Sequence, residues 1–302
     1  MKNFRRPRAA ALLCAISTAA LSLPLAGAAA TAARPSAAPA VAAKAPYVAP
    51  RISLSTYRPL FARPDWNGVY TVVGGLIFDQ STAYEPPDPG AAEGGVDFGP
   101  RPGSYERPPF NSATQKAYEL AVQKMVTDGA SADDVGDCKR PHGFPRIMGG
   151  PGPLELFILP DQVRMTFDWF NETRRIYTDG RPHPAGDELT RTYFGHSVGR
   201  WEGDTLVVDT VGMYGGLYDQ TGAPYSDQTH VVERITMIGP GVLENVLTIT
   251  DPVHLTRPWV VRRTMRRLPP DPKRILGSYC EVNRVQVVDG KQVMQIPGEA
   301  GR

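Results

Sequence analysis

Beyond Gly68 apolar side chains recur mostly at alternate positions, a period that suits strands facing a core and does not suit helices. This alternation predicts strands over 68–73, 154–159, 163–170, 173–177, 192–201, 205–211, 229–238, 242–250, 259–267 and 279–283. Several links carry turn chemistry: Phe170-Asn171-Glu172, Glu202-Gly203-Asp204 and Gly239-Pro240-Gly241. One helix is expected, opened by a capping box at Ser112 and Gln115, with Ala117, Leu120, Ala121 and Met125 on one face and Asp128-Gly129 as its stop. Ten strands, short links and one lateral helix predict a mainly β protein. Its antiparallel sheet should close, or nearly close, into a barrel, because closure removes exposed edges. A two-sheet β-sandwich is the alternative. The 30 glycines and 30 prolines favour short elements over bundles and coiled coils.

The first 30 residues have the layout of a signal peptide, with Lys2, Arg5, Arg6 and Arg8 before an apolar run and small residues suited to cleavage. Periplasmic or secreted placement is the expectation, with no membrane insertion after cleavage. Residues 31–60 are Ala- and Pro-rich and are expected to tether a single domain over 61–302, with a Pro/Gly-rich insertion at 85–110. Removing the signal takes Cys14, and the remaining Cys138 and Cys280 are expected to form a disulfide in an oxidising compartment. The whole chain has 33 basic and 31 acidic residues. Residues 1–50 carry six basic side chains and no acidic one, so the body has 27 basic against 31 acidic residues, a formal charge of −4. That balance gives no footprint for nucleic acid.

Placed on the strands, Glu233 and Asn245 fall on the apolar face of a hairpin turned at Gly239-Pro240-Gly241, if that turn has three residues. A carboxylate there either meets an arginine, with Arg262, Arg263, Arg266 and Arg267 on the next strand as candidates, or is raised by desolvation into the range of a general acid or base. His230 faces the other way. His196 and Asp209 share a face if the turn at Gly203-Asp204 has two residues, as base and orienter would, and are separated if it has three. Five histidines show no spacing suited to a metal, so no metal site and no cofactor are expected. Tyr193, Trp201, Tyr214, Tyr218 and Trp259 are candidates for a ring-binding wall. The Gly-rich run 212–218 could be a pocket lid or an ordinary loop.

Gly195-His196-Ser197-Val198-Gly199 matches the G-x-S-x-G nucleophile elbow of α/β-hydrolases. An elbow needs a helix after the serine, whereas here Arg-Trp-Glu-Gly-Asp-Thr-Leu-Val-Val-Asp-Thr reads as a turn and a second strand. A serine hydrolase is therefore disfavoured. The run from Gly195 through Trp201-Glu202-Gly203-Asp204 to Thr210 resembles the signature of a large family of exported bacterial proteins of mostly unassigned function. Further matching pieces are Ile176-Tyr177-Thr178-Asp179-Gly180-Arg181, His230-Val231-Val232-Glu233-Arg234, Asp251-Pro252 and Pro258-Trp259. The resemblance spans about residues 65–284 and implies export and a lipocalin-like β-barrel body. Members usually open that body with G-x-W, where this chain has Gly68-Val69-Tyr70.

These observations predict an exported protein that binds a small hydrophobic or aromatic molecule in the barrel mouth. It would transform that molecule by cofactor-independent acid–base chemistry, as a lyase or isomerase, through Glu233, His196, His230 and Asp209. Ligand carriage without chemistry is the alternative.

Overall fold

The computed structural model describes residues 47–73, 78–79, 107–128, 140–150 and 152–270, and the backbone of 285–288 and 291–294. The expected signal peptide, most of the insertion, the expected strand at 279–283 and both Cys138 and Cys280 lie outside the described residues. In chain order the elements are α1 (Leu54–Tyr57), β1 (Gly68–Val72), α2 (Ser112–Asp128), β2 (Pro153–Ile158), β3 (Gln162–Phe167), β4 (Thr173–Tyr177), β5 (His196–Glu202) and β6 (Thr205–Val211). There follow β7 (Gly216–Leu217), β8 (Pro224–Tyr225), β9 (His230–Gly239), β10 (Val242–Thr250), β11 (Trp259–Arg267), β12 (Val285–Val288) and β13 (Lys291–Met294).

Nine strands close a barrel in the order β1-β11-β10-β9-β6-β5-β4-β3-β2, so the sandwich alternative falls. The barrel is not wholly antiparallel. β4 and β5 run parallel, with Ile176 opposite Ser197. A parallel pair needs a crossover too long for a hairpin, and residues 178–195 supply it. The strand expected from Thr192 begins only at His196, because Gly195 takes φ +65°. A Cβ on Gly195 would also lie 2.6 Å from the Val211 carbonyl oxygen. We expect Gly195→Ala to cost at least about 1–2 kcal/mol from backbone conformation alone and to lower Tm in a thermal melt by several degrees.

Alternation fills the barrel. Leu154, Leu156, Val163, Met165, Leu206, Val208, Ile235, Leu243, Leu247, Val261 and Met265 are all fully buried. One end is closed by Arg267, whose Nε donates to the Tyr70 hydroxyl at 3.2 Å and whose Nη2 reaches the Asp65 carbonyl. Near it Trp66 meets Trp201 edge-on at 5.1 Å. Toward the other end the 3-10 turn Arg146–Gly149 is buried throughout, and His142 and Gly143 before it donate backbone N–H groups to the Glu172 carboxylate.

Helix α2 starts at Ser112, but Asn111 is its cap: Asn111 Oδ1 accepts the Thr114 N–H at 3.0 Å, one residue ahead of the expected box. Its packed face is correspondingly displaced, with Thr114, Tyr118 and Met125 buried while Ala117 and Leu120 face solvent. Run 212–218 is anchored at both ends. Met213 and Tyr218 are buried, and β7 pairs with β8.

Candidate functional site

Two hairpin registers decide where the ionisable residues go. Glu202 pairs with Thr205, so the Gly203-Asp204 turn has two residues and His196 and Asp209 share a face. Leu243 pairs with Met237 beyond an irregularity at Val242, which gives the three-residue register for the rest of the β9–β10 hairpin and turns Glu233 and Asn245 inward. The sheet wall therefore separates Glu233 from the other three candidates.

Glu233 is fully buried and ion-paired. Its partner is Arg174 of β4, across the barrel, and none of the four arginines of β11. Arg174 donates in a fork, Nη1 to Oε1 at 3.0 Å and Nη2 to Oε2, and Nη2 also reaches Ser197 Oγ at 3.2 Å and Thr210 Oγ1 at 3.1 Å. Asn245 Nδ2 donates to Glu233 Oε1 at 2.8 Å, and the Phe144 ring lies 3.6 Å from the guanidinium carbon. Such a carboxylate is committed to a fixed guanidinium and, fully buried, has no opening through which to take a substrate proton. The desolvated-base expectation for Glu233 is thereby corrected. Ser197 belongs to the same network, at 2% exposure near the start of β5, and that strand leads through its turn into β6 and not into a helix. The elbow geometry is absent.

On the outer wall the structure assembles a different group. Asp209 Oδ1 accepts from His183 Nε2 and from His230 Nε2, each at 3.0 Å. His183 Nδ1 lies 2.8 Å from His196 Nδ1. Both rings that reach the carboxylate must carry their proton on Nε2, so a neutral His183 offers only a lone pair at Nδ1, and His196 Nδ1–H donates to it. The relay leaves His196 Nε2 as a lone pair that no described hydrogen bond engages. Burial, then the positive charge of His183 when it is protonated and that of Arg181, hold the His196 pKa below the ordinary imidazole value, against the opposing pull of Asp179. This ring is neutral near pH 7 and free to accept a proton.

The surroundings are largely apolar and aromatic. Val211 lies opposite His196, and Asp209 sits between Val198 and Val232 on the outer face. Tyr177 stacks on the His196 ring at 5.4 Å, and Arg181 packs 3.7 Å above Tyr177. Arg181 is bound to Asp179 at 2.6 Å. Burial pushes the Asp179 carboxyl up, but hydrogen bonds from Arg181 and Tyr47 outweigh it and bring the pKa to about 2. That pair cancels, and Asp209 leaves the cluster one net negative charge.

His183 was not among the residues picked out from the sequence, and its position explains why. It lies two residues beyond the Ile176–Arg181 motif, on the crossover that an all-antiparallel reading does not contain. The remaining histidines are structural: buried His142 pairs with Glu172 at 3.1 Å, and His254 Nδ1 meets Thr114 Oγ1 at 3.1 Å. Among the described residues no group of three or more His, Cys, Asp or Glu is arranged to hold a metal ion.

The five aromatic candidates do not form one wall. Tyr193 and Tyr214 make an edge-on pair in loops flanking β5 and β6. Tyr218 and Trp259 are buried against each other and Phe78, while Trp201 packs on Trp66 four residues further along β5 than Ser197. No protein-family model matches the chain, and no curated protein does.

Proposed function

We propose that this chain is an exported, cofactor-independent acid–base catalyst of the lyase or isomerase class, acting on a small uncharged molecule with an apolar or aromatic body. The observation that carries this reading is the relay His196–His183–Asp209, which fixes one imidazole tautomer and leaves His196 Nε2 as an unengaged base on a part-exposed wall. The site moves accordingly from the barrel mouth to the outer face of β5, β6 and β9. Valine neighbours and one net negative charge favour a neutral substrate over an anion. His230 donates its Nε2–H to the same Asp209 carboxylate and helps to fix it in place.

The test uses a neutral benzisoxazole, whose ring opens when a base removes one proton. We expect turnover to exceed that of free imidazole at equal concentration, to fall about 100-fold or more in His196→Ala, and to be unaffected by EDTA. Turnover that survives His196→Ala defeats the proposal.

A second reading, ligand carriage, draws on a cleft of about 540 Å³ lined by Tyr57, Leu60, Arg63, Phe157 and Ile158. It expects a ring compound to co-purify chemically intact and to be lost from Phe157→Ala, as detected by mass spectrometry.

A further inference from the structure

The contact between His183 Nδ1 and His196 Nδ1 can be counted in protons. Two nitrogens 2.8 Å apart need one hydrogen between them. With both rings neutral, His196 supplies it. One added proton goes to the open His196 Nε2, or equivalently shifts along the bond so that His183 carries it, and the contact survives with a single positive charge opposite Asp209. A second added proton leaves a hydrogen on each facing nitrogen and no acceptor. The contact then fails, and two imidazolium rings repel each other.

What this contact holds is the crossover. From 179 to 191 none of the residues is buried. Leu189 rests against Gly212, and the segment has only a few polar ties to the rest of the described chain. Thr178 donates its N–H to the Asp161 carbonyl at one end, and Thr192 donates to the Gly212 carbonyl at the other. Between them are the Asp179 contact with Tyr47, an exposed Arg191–Asp227 pair at 3.3 Å, and the two ring bonds of His183. Arg181 packs on Tyr177 of β4 near the start of the segment, and His183, next toward its middle, is bound to the wall through both ring nitrogens.

We propose that His183 is a proton-counting clasp: the 179–191 crossover stays on the barrel wall while the His183–His196 pair carries zero or one extra proton, and it is released by the second. This inference rests on the reading of His196 as a base only for what the release would switch off, since it regulates that same site. The charged and titratable groups facing the pair are Tyr177 from β4, Asp179 and Arg181 from the crossover itself, Asp209 from β6 and His230 from β9. Asp179 is cancelled by Arg181, so Asp209 is the carboxylate left to offset the charge. Acid therefore acts in two stages. The first proton blocks the base with the clasp still closed; the second opens the clasp and takes His183 away from Asp209.

Hydrogen–deuterium exchange of the full chain between pH 7.5 and 4.5, corrected for intrinsic rates, is paired with imidazole nitrogen NMR to follow His196. The expected result is a fall of about tenfold or more in protection over 179–191, while β6 and β9 keep theirs, with a midpoint below the pH at which His196 takes its proton. In His183→Gln, which has no titrating nitrogen, the segment should show no step. Unchanged protection in the native chain through titration of all three imidazoles overturns the clasp, as does an undiminished step in His183→Gln. Neither result bears on benzisoxazole turnover at pH 7.5, so the base reading stands or falls separately.

Discussion

Glu233→Gln is expected to lower stability by about 3–5 kcal/mol, because it strips the counter-charge from a guanidinium with no exposure to water. For a domain of this size that is a fall in Tm of roughly 10 °C or more, read by a thermal melt followed by circular dichroism. The reason lies in asymmetry. A buried ion pair contributes little against an apolar pair of the same volume, yet removing one member leaves a bare charge in the core. Arg174→Met with Glu233→Met should therefore recover most of the loss, whereas either change alone should not. The glutamine variant, assayed well below its melting point, should retain its turnover, since Glu233 lies on the opposite face of the sheet from His196. A severe loss of activity in a fully folded Glu233→Gln protein would return this carboxylate to the catalytic machinery.

How much of this was legible in the sequence depended on the range of the signal. Alternation is local, and it placed nine strands within a few residues of their observed ends. Parity along one strand also put Glu233 and Asn245 inside, because Val231, Ile235, Leu243 and Leu247 mark the inner face. Parity equally marks Arg174, two residues before the inward Ile176, but its pairing with Glu233 spans the barrel and requires knowing that β4 and β9 face each other across the axis. His183 was hidden for a related reason. A hairpin reading joins successive strands edge to edge, and only the parallel β4–β5 step lays residues 178–195 over the outer wall. The aromatic candidates show the limit of composition: five large rings on strands and loops are what a packed barrel needs, and packing took Tyr218 and Trp259 into its core.

His196→Ala should reduce kcat/KM by about 10²–10⁴, and the order of losses among its neighbours is what separates a relay from a mere cluster. Asp209→Asn keeps the shape and still offers an acceptor, but it removes the charge that strengthens both His183 and His230 bonds. Losing a charge-assisted bond costs about 1.5–3 kcal/mol, or about 10- to 100-fold in rate. His183→Gln should fall in the same range, and the double variant should be little worse than either single one, because both break one chain of bonds. The pH profile adds a reading that a purely structural role would not move. Burial and the neighbouring His183 and Arg181 already hold His196 below the ordinary imidazole value, so activity should persist above that lowered pKa and disappear as pH falls through it. Taking away the Asp209 anion removes a negative charge bound to the relay through His183, and the acid limb of kcat/KM should therefore move to still lower pH in Asp209→Asn. A limb that stays fixed while the rate drops would mean that Asp209 holds the wall together without orienting the base.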